Sequence, residues 1–144
     1  MTSAAFAPEV PEPGTRTILI IEDSPTVRTM LRGAIQRGFP GVTVVEAAEG
    51  RQALHELTRC RPCLVVTDLQ MPGMDGRSFL GLLRRNALLR RKKVLVLSGD
   101  DLTDLRALYA GDDGIRFLAK SGAIQDLLQT MQDLLPSPAA RVVS

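Results

Sequence analysis

Three acids stand where apolar runs stop. Leu64-Val65-Val66-Thr67 delivers Asp68 into Leu69-Gln70-Met71-Pro72-Gly73-Met74-Asp75-Gly76, a turn built on Pro and Gly, and Thr17-Ile18-Leu19-Ile20-Ile21 runs likewise into Glu22 and Asp23. An acid pushed out of a buried strand into a turn is placed for chemistry, not for packing. Two carboxylates about 4 Å apart repel by roughly 4 kcal/mol at an effective dielectric of about 20, so three in one pocket require protonation or a bound cation. Oxygen donors select a hard ion. With few protein ligands and room for water, Mg²⁺ fits better than Ca²⁺. Two further strand ends add a hydroxyl, Ser98, and an ammonium, Lys120, a compact charge suited to a phosphoryl oxygen. Such a set stabilises a transferring phosphoryl group, where catalysis is mostly positioning and charge neutralisation. The sequence has no Walker loop, no nucleotide-binding Gly fingerprint and no Ser-His-Asp set, so the remaining nucleophile is Asp68 itself, giving an aspartyl phosphate.

These residues can meet only if the elements between them bring their strand ends to one edge. Candidate strands run from Thr17 to Glu22, Val42 to Ala47, Cys63 to Asp68, Lys93 to Ser98 and Gly114 to Ala119. After the first, Ser24 is an N-cap, Pro25 takes the first helical position, Val27, Met30, Leu31, Ala34 and Ile35 share a face, and Gly38 is the stop. Helical patterns also cover Gly50 to Arg59, Gly76 to Asn86, Leu102 to Ala110 and Gly122 to Leu135, with Pro136 ending the last. Five strand-then-helix units imply right-handed crossovers and a doubly wound α/β fold, flavodoxin-like, with a five-stranded parallel sheet and five helices. Strands one, three and four are continuously apolar and belong in the middle; the mixed strands two and five suit the edges, giving the order 2-1-3-4-5. Ligands in such sheets bind beyond the carboxyl ends of the strands at the switch point, here between strands one and three.

The rest of the chain sets bounds. At 144 residues with 44% hydrophobic and 24% charged residues, one soluble domain is the default, expected over residues 16–135 between a flexible tail at 1–15 and a short tail at 136–144. The N-terminal stretch has Pro8, Pro11, Pro13 and Gly14 without a signal pattern, and no apolar run approaches the ~20 residues that span a bilayer, so a cytoplasmic location without membrane insertion is expected. A net charge of +2 does not by itself imply a polyanionic partner. Arg84, Arg85, Arg90, Arg91, Lys92 and Lys93 form a basic stretch without aromatic interleaving, which reads as a solvated or partner-docking face and not as a nucleic-acid site. Cys60 and Cys63 have redox spacing, but a helix C-terminus disfavours thiolate, and zinc would need more ligands than two Cys and His55 supply. His55 reads as a surface residue.

The strand-end acids, Ser98, Lys120 and the Met71-Pro72-Gly73-Met74-Asp75-Gly76 turn, in this order, resemble the receiver domain of bacterial two-component response regulators over about residues 16 to 135. The resemblance implies that Asp68 is the phosphoacceptor and that Asp23 and Asp68 bind Mg²⁺ directly, with Glu22 acting largely through water and Gln70 lending its main-chain carbonyl. Ser98 would be the switch hydroxyl, Lys120 the counter-ion and Phe117 the aromatic switch position. The family often has Thr, Tyr and Pro where this chain has Ser98, Phe117 and Ser121. Gln70 and Asp100 stand where family members tune dephosphorylation.

The expected function is a stand-alone receiver. It takes a phosphoryl group from the phosphohistidine of a sensor kinase or a histidine phosphotransfer protein and later hydrolyses it, without being a turnover enzyme. Its surface of fourth helix, fifth strand and fifth helix would control a downstream protein or precede onward transfer. Two alternatives compete: a pseudo-receiver whose interactions ignore phosphorylation, and an aspartate-nucleophile phosphatase. The second is disfavoured because Gln70 stands where the Asp-x-Asp pattern needs an acid. Strand-end acids can also serve only as helix caps, and Phe117 can be simple edge-strand packing.

Overall fold

The computed structural model describes residues 16–69, 76–99 and 103–135. Strands β1 (Thr17–Ile21), β2 (Thr43–Ala47), β3 (Leu64–Asp68), β4 (Lys93–Ser98) and β5 (Ile115–Ala119) alternate with helices α1 (Pro25–Gly38), α2 (Gly50–Cys60), α3 (Gly76–Arg85), α4 (Thr103–Leu108) and α5 (Ile124–Leu134). All strand pairs are parallel, in the order β2-β1-β3-β4-β5. The elements start and stop within two residues of the expected bounds.

The period-2 pleat sorts the apolar strand residues to two faces. Ile18, Ile20, Leu64, Val66, Leu95 and Leu97 pack with Leu31 and Ile35 of α1 and Leu127 and Met131 of α5. The alternate residues Leu19, Ile21, Val65, Val94 and Val96 pack with Ala53 and Leu57 of α2, Phe79, Leu80 and Leu83 of α3, and Leu105 of α4. This two-sided burial explains why β1, β3 and β4 read as unbroken apolar runs: every residue of β1 and β3 is buried.

Local signals act as their chemistry dictates. Ser24 Oγ accepts a hydrogen bond from the Val27 amide at 3.3 Å, and Pro25 opens α1. Gly38 is the last residue inside α1, capped by Phe39, and its smallness serves packing: a Cβ there would lie 3.0 Å from Leu128 Cδ2 of α5. The left-handed turn comes later, at Gly41 with φ 88°.

The basic stretch divides. Arg84 is built in: its Nε lies 2.5 Å from Asp112 Oδ2, its second terminal nitrogen 3.3 Å from Oδ1, and its first donates to the Lys92 carbonyl at 2.9 Å. Lys92 donates to the Pro62 carbonyl at 2.9 Å, and burial lowers its pKa. Arg85, Arg90 and Arg91 remain exposed. Burial pushes the Asp112 carboxyl up, but the Arg84 guanidinium and the Gly114 amide outweigh it and hold the pKa below the usual carboxylate value. A depressed carboxylate contributes stability above its unfolded pKa, which is lost as pH falls through the folded one. Arg84→Ala is therefore expected to cost about 1–2 kcal/mol at pH 7, with the gap to wild type closing as pH falls below about 4, measured by urea denaturation across pH.

Candidate functional site

The parallel register carries the chemistry to one edge. Asp68 closes β3 opposite Leu97, and Ser98 closes β4 opposite Ala119. One more ladder bond, from the Lys120 amide to the Ser98 carbonyl at 2.9 Å, sets Lys120 just past β5. Beyond β1, the Glu22 amide donates to the Ala47 carbonyl at 3.0 Å, so Glu22 is still tied to the sheet while Asp23 leaves it. Carboxylate oxygens of Glu22, Asp23 and Asp68 lie within 4.8 Å of one another. Glu22 and Asp68 are only 1% and 5% exposed, Asp23 is open to solvent, and Ser98 is buried.

Lys120 ties this cluster together. Its Nζ lies 2.8 Å from Asp68 Oδ2 and 3.1 Å from Glu22 Oε1, and the other Glu22 oxygen accepts from the Ser24 amide at 3.2 Å. Burial raises the Glu22 pKa; the Ser24 amide and Lys120 pull it back, and the neighbouring Asp68 adds to the rise. Burial works against the Lys120 ammonium too, but its bonds to Asp68 and Glu22 outweigh that and raise its pKa. Three carboxylates and one ammonium leave the pocket at −2 when all are ionised, which matches one divalent cation. An all-oxygen donor set with one side open to water fits Mg²⁺.

The other sequence candidates separate. Phe117 in β5 is half-buried, packs against the core, and lies under Arg106 of α4, whose Cζ is 5.5 Å from the ring centroid and which donates to the Phe117 carbonyl at 3.3 Å. Gln70, Asp100 and residues 71–75 of the turn lie outside the described residues. His55 is exposed on α2, away from this edge. Cys60 and Cys63 are not joined in a disulfide and lie at the opposite edge. Burial pushes the Cys60 thiol up to about 11, and its Sγ donates to Glu56 Oε1 at 3.2 Å. At pH 8 only about one such thiol in a thousand is thiolate, so iodoacetamide is expected to modify native Cys60 at least about tenfold more slowly than the unfolded chain, read by mass spectrometry.

Sequence reasoning missed Arg28. Its first terminal nitrogen donates to the carbonyls of Glu22 at 2.8 Å and Asp23 at 3.4 Å, while its Nε meets Glu46 Oε1 at 3.0 Å. Helical spacing places Arg28 at the end of the first turn of α1, but does not show its reach to β2. The available signal was an Arg one turn beyond an acid pair at a helix N-terminus.

The Response regulator receiver domain family matches residues 18–132. The chain belongs to this family. The receiver is 37% identical over 116 residues to the nitrate/nitrite response regulator protein NarL of Escherichia coli strain K12, covering 80% of this chain and 52% of that protein. It is 33% identical over 131 residues to protein-glutamate methylesterase/protein-glutamine glutaminase 2 of Burkholderia thailandensis, covering 85% of this chain and 36% of that protein. The receiver thus spans about half the length of the first relative and about a third of the second. Among solved structures it resembles chemotaxis response regulator CheY4 of Vibrio cholerae, with a TM-score of 0.72 at 26% identity over 84% of this chain and 99% of that one. Receiver domains of two-component response regulators accept a phosphoryl group from histidine kinases and generally bind Mg²⁺ at an acidic pocket. Among the described residues no helix is long and apolar enough to cross a membrane.

Proposed function

We propose that this receiver, the unit of residues 16–135, accepts a phosphoryl group on Asp68 from the phosphohistidine of a sensor kinase or a histidine phosphotransfer protein. The observation that carries this reading is the Asp68 carboxylate at the end of β3, buried, bound by Lys120 and flanked by two further carboxylates. A carboxylate oxygen of Asp68 attacks phosphorus, the new O–P bond forms as the N–P bond breaks, and the imidazole nitrogen keeps the electron pair and takes up a proton. Glu22, Asp23 and Asp68 would hold Mg²⁺, with the Gln70 carbonyl. The bound cation would neutralise charge on the phosphoryl oxygens.

Lys120 sits on Asp68 Oδ2, where its ammonium can follow the charge onto the phosphoryl group. Ser98, buried at the end of β4, offers a hydroxyl to the same group. Later, water attacks phosphorus, the O–P bond to Asp68 breaks, and phosphate leaves with the carboxylate regenerated. This is one modification and its reversal, a signalling cycle and not turnover of an outside substrate.

The output surface is the face of α4, β5 and α5. It carries a hollow of about 370 Å³ lined by Arg106, Tyr109, Arg116, Phe117 and Thr130. Movement of Ser98 toward the phosphoryl group frees space for Phe117 to turn inward, which exchanges the Arg106 contact for deeper burial and alters what a protein partner meets. Beryllofluoride with Mg²⁺, a phosphoryl mimic, tests this. Amide shifts are expected at residues 68, 98 and 120 and across α4 and β5; shifts confined to residues 22, 23 and 68 would remove the output surface, and none at all would remove the function.

A further inference from the structure

Asp23 is the weakly held member of the acid cluster. Among the described residues no hydrogen bond or ion pair holds its exposed carboxylate, whereas Glu22 and Asp68 are fixed by Lys120. Its position must therefore come from its backbone. That backbone has left the sheet after Glu22 and has not yet entered α1, whose first residue is Pro25. The side chain that spans this gap is Arg28, which reaches back to the Glu22 and Asp23 carbonyls with one nitrogen.

A long cation holds two carbonyls steadily only if it is itself held. Arg28 is anchored through Nε to Glu46 of β2, whose second carboxylate oxygen takes Arg32 from the next turn of α1. Glu46 in turn stands opposite Ile20 in the β1–β2 register. The guanidinium is thus stretched between the sheet edge and the acid-bearing loop, with its side chain 20% exposed and that of Glu46 28% exposed. A planar fork reaches the two ends with separate nitrogens held in fixed geometry, whereas an ammonium offers all its donors from one point.

We propose that Arg28, anchored by Glu46, is a positioning residue that fixes the Glu22-Asp23 backbone and thereby sets how tightly the acidic pocket binds a divalent cation. The inference rests on the reading of that pocket as the Mg²⁺ site of a receiver. Charge and geometry act in opposite directions here, which makes the idea decidable. As a charge alone, Arg28 repels a cation, and its removal would tighten binding. As a clasp, it pre-arranges Asp23, and its removal loosens binding, as is usual for groups that orient metal ligands.

The test is an Mg²⁺ titration of the full chain, followed by amide shifts of residues 22–27 and 68, with thermal melting of each protein in EDTA. Arg28→Ala is expected to weaken Mg²⁺ binding about tenfold, Arg28→Lys by less, and Glu46→Gln by a few-fold. Arg28→Lys and Glu46→Gln should melt in EDTA close to wild type, which separates positioning from general loss of stability. Glu46→Gln carries the comparison should Arg28→Ala not fold. Affinity unchanged or tighter in the variants, with wild type responding to Mg²⁺, would overturn this inference alone. A wild type that does not respond to Mg²⁺ would overturn it together with the receiver reading.

Discussion

Replacing Asp68 with Asn is expected to reduce phosphoryl incorporation from acetyl phosphate to background while leaving the fold intact. The carboxamide has nearly the same shape and can still accept from Lys120 at the position of Oδ2, 2.8 Å from Nζ. It has no anionic oxygen with which to attack phosphorus. The substitution also removes one of the three negative charges around the pocket, so Mg²⁺ should raise the melting temperature of the variant less than that of wild type. Intact mass with and without acetyl phosphate reads the first effect, and melting with and without Mg²⁺ reads the second. Incorporation equal to wild type would mean that another residue is modified.

Lys120→Met carries the largest expected cost in stability. Glu22 and Asp68 are both buried, and in the variant they face each other without the ammonium that joins them at 3.1 and 2.8 Å. Breaking a fully buried ion pair costs about 3–5 kcal/mol, but the Lys120 side chain is 32% exposed and water screens part of that. A loss of about 2 kcal/mol in EDTA is expected, a fall of roughly 10 °C in melting temperature. The sign in pH follows from the raised pKa of Lys120: its contribution is complete below its ordinary value and is lost only as pH rises through the raised one, so it is fully present at neutral pH. Removing the only ammonium seen at the described site should strengthen Mg²⁺ binding and let the cation restore much of the lost stability. Acyl phosphate yield should fall all the same, because the cation replaces the charge of Lys120 but not its bond to the phosphoryl group. Equal melting of variant and wild type in EDTA would contradict this account of the pocket.

Most of the architecture was legible because local and global signals agree. Ser24 and Pro25 mark one end of α1, while unbroken apolar runs in β1, β3 and β4 reveal strands covered on both faces, and from these the strand order follows. The acids were legible for a related reason: a charge at the end of a buried strand has no packing role to hide behind. What stayed hidden depends on pairs distant in sequence. Arg28 meets Glu46 18 residues away, and Arg84 meets Asp112 28 residues away. Neither pairing leaves a periodic trace, so one clasp went unseen and one arginine of the basic stretch was read as surface. Gly38 shows the same limit, since its smallness answers to Leu128 on α5.

In the proposed cycle Asp68 itself carries the phosphoryl group. Incubate the wild-type chain with acetyl phosphate and Mg²⁺, reduce the acyl phosphate with borohydride, and map the product by peptide mass spectrometry. Conversion of Asp68 to homoserine is expected, dependent on Mg²⁺ and absent from Asp68→Asn. Unmodified Asp68 in a chain that remains folded and binds Mg²⁺, or the reduced product at any other acid, would contradict it.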